Sequence, residues 1–169
     1  MSDSEEFIVR ADADPEGQVF HHPFNPHSEV HIRPLSRLTG MSRLGINQAR
    51  VPPGKESFIY HTHHQEEEFM YILSGRGVAE IGEQEYEVAA GDFMAFPAPS
   101  IGHHLRNPFD EDLVYLTGGE NRSVEIADFP RIGKRMYRTE DAIDIVDHEH
   151  IEDWPQRASD QLDQRPLDE

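Results

Sequence analysis

The sequence contains no cysteine, and this absence excludes several kinds of site. Without cysteine there is no disulfide framework, no thiolate zinc site and no thiol nucleophile. Lysine is also scarce, because Lys55 and Lys134 are the two lysines among 15 basic residues. The 33 acidic residues give a formal net charge of −18, so the chain lacks the basic surface that neutralises nucleic-acid phosphates. We therefore expect no nucleic-acid partner.

Long apolar runs are missing as well. No run approaches the ~20 residues that a membrane-spanning helix needs. The first residues, Met1–Glu6, are acidic and lack the basic-then-apolar form of a secretory signal. We expect a cytoplasmic protein without a membrane partner. The 169 residues suit one domain, which can bury ~70% of its unfolded surface without a disulfide or metal staple.

The acidic residues are concentrated at the two ends of the chain. Residues 1–20 carry a charge of −5 and residues 140–169 carry −9, which leaves −4 for residues 21–139. We predict an N-terminal leader over 1–27, a folded domain over 28–139 and an acidic C-terminal extension over 140–169. Residues 140–154 contain enough apolar side chains to dock on the domain or on a second subunit, whereas residues 155–169 do not.

Glycine and proline interrupt the middle of the chain and exclude long helices there. Between Gly75 and Gly119 the longest stretch free of both has nine residues, too short for a helix of 10–15 residues. The runs between them are rich in β-branched and aromatic residues, as strands are. The pattern predicts strands over 43–51, 58–63, 68–73 and 112–117, and a hairpin of 78–81 with 84–88. Short strands at this spacing are typical of an all-β sandwich or barrel, the class that includes jelly rolls.

Histidine is abundant, with 11 residues, and several histidines are grouped. On a strand His61 and His63 would point to one face and His64 to the other. A carboxylate follows within 66–68, and a second histidine pair stands at 103–104. Three imidazoles and one carboxylate suit one divalent transition metal such as Mn, Fe, Ni, Co or Zn. Such a set leaves two open positions on a six-coordinate ion.

The spacing of these residues resembles the two characteristic motifs of the cupin superfamily. The first motif, G-x5-H-x-H-x3,4-E-x6-G, is similar to Gly54-x6-His61-x-His63-x4-Glu68-x6-Gly75. The second, G-x5-P-x-G-x2-H-x3-N, is similar to Gly91-x5-Pro97 followed by His103-x3-Asn107. One extra residue precedes the first histidine, and the loop before the second-motif histidine is one residue longer. These departures affect the shapes of the loops more than the ligands.

The resemblance implies a double-stranded β-helix, a jelly-roll barrel with its pocket inside. It also implies metal ligands at His61, His63, Glu68 and His103, and a homodimer. Glu68 is preferred to Glu67 because it leaves six residues before the motif glycine. His103 is preferred to its neighbour because it keeps three residues before the motif asparagine.

The register around the carboxylate has two alternatives in the sequence. If Glu68 points inward, Met70 and Ile72 line the barrel. The rival register turns 69, 71 and 73 inward, which is also apolar, so hydrophobicity alone does not decide. We expect His64 and His104 to be exposed and residues 66–67 to form a solvated acidic run.

Cupin activities include dioxygenation, decarboxylation, isomerisation and lyase reactions, and the sequence does not select among them. The resemblance implies a metal-dependent enzyme acting on a small oxygen-rich or carboxylate-bearing molecule, with no catalytic residue assigned beyond the ligands. A non-catalytic sensor or carrier of small molecules is an alternative, and a purely structural dimerisation module is another. A divalent ion held by three neutral imidazoles and one carboxylate leaves the centre at +1, which suits an anionic or oxygen-rich ligand.

Overall fold

A computed structural model describes residues 5–12 and 17–152. The predicted tail beyond residue 152, including Trp154, lies outside the described residues. Within them, short strands dominate, joined by one helical turn, α1 (Leu35–Leu38), and three 3-10 turns. The strands are β1 Gln18–Phe20, β2 Val30–Arg33, β3 Leu44–Val51, β4 Thr62–His63, β5 Glu68–Ser74, β6 Arg76–Ile81, β7 Gln84–Ala89, β8 Phe93–Phe96, β9 His103–Arg106, β10 Leu113–Glu120, β11 Glu125–Phe129, β12 Lys134–Arg138 and β13 Ile143–Asp147. No helix in the described ranges is both long and apolar enough to cross a membrane.

The strands form three antiparallel sheets that together make the predicted jelly-roll barrel. The largest has the order β1-β2-β3-β10-β5-β8, and a smaller one has the order β7-β6-β9. A third sheet, β13-β12-β11-β4, joins the short strand β4 to the C-terminal part of the chain. The all-β fold expected from the sequence is confirmed.

The predicted strand positions are confirmed except over 58–63. The hairpin of β6 and β7 closes with Ile81 opposite Gln84, as the two-residue turn requires. The segment 58–63 is a strand only at Thr62–His63, with His61 in an isolated bridge to His103. Its earlier backbone groups bond elsewhere, for example the Phe58 carbonyl, which accepts the Asn25 side chain. These side-chain bonds replace the ladder that a continuous strand would need.

The alternation along β5 decides which register the barrel uses. Met70 and Ile72 are 3% and 0% exposed, whereas Tyr71 and Leu73 are 39% and 40% exposed. Because side chains alternate along a strand, Glu68 shares the inward face with the two buried residues. The predicted register is confirmed. Each large apolar side chain buried in this way contributes ~1.5–3 kcal/mol to stability.

Two glycines near the site have no room for a side chain. Gly75 has φ +77°, and a Cβ there would overlap the Asp112 carbonyl oxygen. The turn from β5 to β6 therefore needs glycine on both counts. At Gly102, beside the second-motif histidine, a Cβ would overlap the Tyr60 ring. The close approach of Tyr60 explains a glycine at this position of the longer loop.

The segments at both ends of the described chain pair with the barrel. β1 pairs with β2 across the predicted boundary at residue 27, and β13 pairs with β12 across the predicted boundary at residue 139. No observation tests the boundaries themselves, and they stay a prediction. The pairing of β11 with β4 is the important one for function, because β4 carries a predicted metal ligand.

Candidate metal centre

The four residues predicted as metal ligands lie together on the inner side of the barrel. His61 and His63 come from the bridge and strand β4, Glu68 begins β5, and His103 begins β9. One ligand atom from each of the four lies within 4.8 Å of the corresponding atom of every other. Residues more than 40 positions apart in sequence are therefore brought to one point.

The distances within this cluster match those between neighbouring ligands of one ion. The Glu68 Oε2 atom lies 3.0 Å from His103 Nε2, 3.3 Å from His63 Nε2 and 3.8 Å from His61 Nε2. The Nε2 atoms of His61 and His63 are 3.1 Å apart. Adjacent ligands about 2.1 Å from one ion at right angles are about 3.0 Å apart. The spacing fits a transition-metal site.

Hydrogen bonds at Nδ1 of His61 and His103 determine which ring nitrogen faces the centre. His61 Nδ1 lies 2.6 Å from the Ile59 carbonyl oxygen, and His103 Nδ1 lies 3.0 Å from that of Ile101. A carbonyl only accepts, so each Nδ1 carries the hydrogen and each Nε2 presents a lone pair. With Glu68, the centre is then lined by acceptors that need a cation between them. The donor set fits a divalent metal.

Both carboxylate oxygens of Glu68 contact neighbouring side chains. Thr117 Oγ1 donates a hydrogen bond of 2.9 Å to Oε1, which leaves Oε2 toward the imidazoles. Burial opposes the charged carboxylate, but the surrounding imidazoles of His103, His61 and His63 hold the pKa of Glu68 well below its usual range. The carboxyl is therefore an anion at neutral pH, as a metal ligand must be.

The pKa values of the His61 and His63 imidazoles are shifted in opposite directions. Burial lowers the pKa of His61, which keeps that ring neutral. Burial acts the same way on His63, but the nearby carboxylates of Glu68, Glu125 and Glu66 raise the pKa of His63. The centre therefore already attracts positive charge at the His63 ring.

Two neighbouring histidines differ from the sequence-based expectation. His104 is 7% exposed rather than exposed, because Glu56 and Glu80 pack against its two ring nitrogens at 3.6 and 3.5 Å. His64 is partly buried, and its Nε2 bonds to Asp128 at 2.8 Å.

Glu66 was expected in a solvated acidic run, and that expectation is wrong. Its side chain is buried, and Oε1 accepts the Arg122 backbone N–H at 2.6 Å and the Arg138 guanidinium. Glu67, the next residue, is exposed as expected. The acidic run therefore contains one exposed carboxylate between two that are held by the fold.

Glu125 is a residue that motif reasoning missed. Its carboxylate is fully buried and accepts backbone N–H groups from His64 and Glu66, both at 3.0 Å. The same carboxylate lies 3.4 Å from His63 Nδ1. The signal for it was present in β11, where an acid occupies the face shared with the buried residues Ala127 and Phe129.

A small polar cleft of about 210 Å³ opens beside the cluster. Two of the predicted ligands, His63 and Glu68, form part of its wall. The rest of the wall is contributed by Gly45, Asn47, Glu66, Glu67, Thr117, Gly118, Gly119, Glu120 and Arg138. A larger cleft of about 690 Å³ shares Glu120 with it but contains none of the four ligands. The small cleft is therefore a place where a ligand could reach His63 and Glu68.

A jelly-roll barrel with three histidines and one glutamate on its inner side defines a class of metal-binding β-barrel proteins. Residues 47–118 match the family model for the cupin domain. A solved structure from Acidithiobacillus ferrooxidans, provisionally called a sugar phosphate isomerase, is 32% identical with a TM-score of 0.86. The alignment covers 90% of this chain and 99% of that one. The chain belongs to the cupin superfamily.

Two further proteins are similar to this chain, one at lower identity and one over a shorter stretch. A cupin from Silicibacter pomeroyi, described as a sugar phosphate isomerase, is 23% identical with a TM-score of 0.73, over 83% of this chain and 90% of its own. At that identity it shows the fold alone. An uncharacterised protein of Methanocaldococcus jannaschii is 37% identical over 62 residues, which are 37% of this chain. The match spans 48% of that curated relative.

Proposed function

We propose that this protein is a metal-dependent enzyme that acts on a small, oxygen-rich or carboxylate-bearing molecule at a centre formed by His61, His63, Glu68 and His103. One observation carries the proposal: four acceptor atoms converge within 4.8 Å beside a polar cleft. A bound divalent ion would supply Lewis acidity, polarising a carbonyl or hydroxyl group of the substrate. The cleft is smaller than the ~300 Å³ at which typical ligand pockets begin, which favours a small substrate.

Among cupin reactions, we propose isomerisation of a phosphorylated hydroxy-carbonyl compound as the first to test. The support is the Acidithiobacillus relative, which aligns over nearly its whole chain. Such a reaction needs a group that moves a proton between adjacent carbons. It needs no oxidant or reductant.

Glu67 is our candidate for that proton transfer. It lines the cleft with His63 and Glu68 and is exposed. The other two acids of the cleft wall are engaged, Glu66 with Arg138 and Glu120 with an arginine at 3.0 Å. The Glu67 carboxylate would take a proton from the hydroxyl-bearing carbon and return it to the neighbouring carbon. A proton moves from the hydroxyl to the carbonyl oxygen, so atoms and electrons balance.

Elemental analysis of protein purified without chelators tests the metal centre. We expect about one transition-metal ion per chain in the wild type and its loss in His61→Ala. The matched control is His64→Ala, because His64 is close in sequence but bonds to Asp128 outside the cluster. The metal-centre proposal fails if the wild type carries no metal and takes none of Mn, Fe, Co, Ni or Zn.

A substrate screen with the reconstituted protein tests the reaction. Aldose and ketose phosphates, hydroxy acids and small dicarboxylates should be followed by NMR. We expect metal-dependent turnover, reduced ~10²–10⁴-fold in Glu67→Gln, with Glu83→Gln of the β6–β7 turn as control. No turnover with any metal in a filled site would overturn the enzymatic proposal. A metabolite retained unchanged would instead support the sensor or carrier.

A further inference from the structure

The three imidazoles of the centre are not held in the same way. For His61 and His103, Nδ1 bonds to the backbone carbonyl two residues earlier in the chain. This contact is local and uses no other side chain. The equivalent partner of His63 would be the His61 carbonyl, which instead accepts the His103 backbone N–H at 2.9 Å in the bridge between the two segments. His63 therefore needs a partner from elsewhere.

The nearest carboxylate to that nitrogen belongs to Glu125. His63 Nδ1 is buried, and no hydrogen bond of good geometry satisfies it within the described part of the chain. Glu125 Oε1 lies 3.4 Å from it, longer than the 2.9–3.0 Å typical of an N–H donor. Leaving a buried N–H without an acceptor costs about 1–3 kcal/mol, so a hydrogen bond from Nδ1 to this carboxylate is favourable.

The Glu125 carboxylate is held by three backbone N–H groups. Its Oε1 accepts the His64 N–H at 3.0 Å and the Gln65 N–H at 3.4 Å, and its Oε2 accepts the Glu66 N–H at 3.0 Å. β11, which carries Glu125, is also paired with β4, Ala127 opposite His63. One strand therefore pairs with the backbone of this histidine and places a carboxylate beside its ring.

We propose that Glu125 is a positioning residue of the metal centre: its carboxylate accepts the Nδ1 hydrogen of His63 and so presents His63 Nε2 to the ion. The inference rests on the metal centre proposed above. A carboxylate behind a ligating histidine fixes the ring tautomer and makes the imidazole a stronger donor. The residue lies beyond 118, where the match to the family model ends.

The test compares Glu125→Gln with Glu66→Gln. Both carboxylates are buried and both hold the loop from β4 to β5, but Glu66 acts on His63 through its charge alone, whereas Glu125 lies 3.4 Å from the ring nitrogen. We expect similar losses of thermal stability in the two metal-free variants. Titration with Co²⁺ should show affinity 10–100-fold weaker in Glu125→Gln and a shifted visible spectrum, with Glu66→Gln close to wild type.

A second measurement needs no metal. Imidazole nitrogen NMR of the metal-free protein, at a pH where the rings are neutral, should place the His63 hydrogen on Nδ1 in wild type and on a mixture of both nitrogens in Glu125→Gln. If the wild type takes no metal, the proposed function fails while this measurement still tests Glu125. Equal spectra and equal Co²⁺ affinities in the two glutamine variants would show that Glu125 only holds the loop.

Glu125→Asp covers the case in which the glutamine variant does not fold. It keeps the charge but withdraws the carboxylate by one methylene group. We expect Co²⁺ affinity about tenfold weaker than in wild type. Unchanged affinity in a folded Glu125→Asp protein would overturn the proposal.

Discussion

The pair of Glu66 and Arg138 offers a quantitative test of how the C-terminal strands hold the ligand loop. Arg138 lies on β12, and its guanidinium bonds to Glu66 in the loop between β4 and β5. Their side chains are 8% and 30% exposed, respectively. Replacing Arg138 with methionine keeps much of the side-chain volume but leaves the Glu66 carboxylate without its ion-pair partner.

The size of the effect follows from what remains around the carboxylate. Removing one member of a buried ion pair costs ~3–5 kcal/mol. Here Arg138 is partly exposed, so water can approach, and the Arg122 backbone N–H still donates to Glu66 at 2.6 Å. We therefore expect Arg138→Met to lower the free energy of unfolding by about 2 kcal/mol. For a chain of this size that is a fall of roughly 4–8 °C in Tm.

Urea unfolding of the single and double variants of Glu66 and Arg138 measures the coupling free energy between the two side chains. In Glu66→Met with Arg138→Met neither charge of this pair remains, so we expect the double variant to be more stable than Arg138→Met alone. A matched control is Arg76→Met, whose partners Glu87 and Glu111 are exposed and whose guanidinium lies over the Phe109 ring. It should cost no more than ~1 kcal/mol. Strictly additive losses in the double variant would refute the reasoning, because they would mean that the two side chains are not coupled.

Three further predictions concern the carboxylate ligand, a partly buried histidine and a turn. Thr117→Val removes the hydrogen bond to Glu68. We expect the fold to be retained and the metal affinity, measured by calorimetric titration, to be about tenfold weaker. Unchanged affinity would contradict the role given to Thr117. Burial and the charges of other histidines lower the pKa of His22 to about 4. Between pH 6.5 and 4 the unfolded chain therefore binds more protons than the folded protein. The folded protein loses stability as the pH falls through that window. His22→Asn keeps an acceptor for the Phe24 N–H, and its Tm should fall by less than that of wild type between pH 7 and 4.5; parallel curves would exclude this assignment. Gly75→Ala should cost more than ~1 kcal/mol in urea unfolding, because alanine resists φ +77° and its Cβ meets a backbone oxygen; a neutral effect would show that the turn can rearrange.

The sequence was sufficient to predict the fold class and to bring the four candidate ligands together, because both depend on local patterns. Alternation along β5 places Glu68 with Met70 and Ile72, and glycine spacing marks the turns. The ligand role itself stays a prediction until the metal is measured. So do the homodimer, the cytoplasmic location and the absence of nucleic-acid and membrane partners.

What the sequence did not reveal depends on contacts between distant residues. Glu66 is an acid in an acidic chain, and nothing local distinguishes its buried carboxylate from a solvated one. Glu125 shares a face of β11 with apolar residues, but the groups that it binds are distant in sequence. Glu125 meets the backbone of 64–66 about 60 positions away, through a strand that pairs with β4. His104 is buried in a similar way, because Glu56 packs against it and is itself held by Asn25 of the N-terminal segment at 2.9 Å.

Local sequence patterns therefore identify the candidate ligands, whereas contacts between distant residues determine how precisely the ligands are oriented. The region that matches the cupin model contains all four candidate ligands, and two of the imidazoles are oriented by carbonyl groups within it. The third depends on β11, which follows that region, because the bridge to β9 occupies the carbonyl that would otherwise serve it. A preorganised centre needs each ligand ring locked by its surroundings. Motif spacing alone therefore identifies the donors of this site, whereas the C-terminal sheet determines how rigidly His63 is presented.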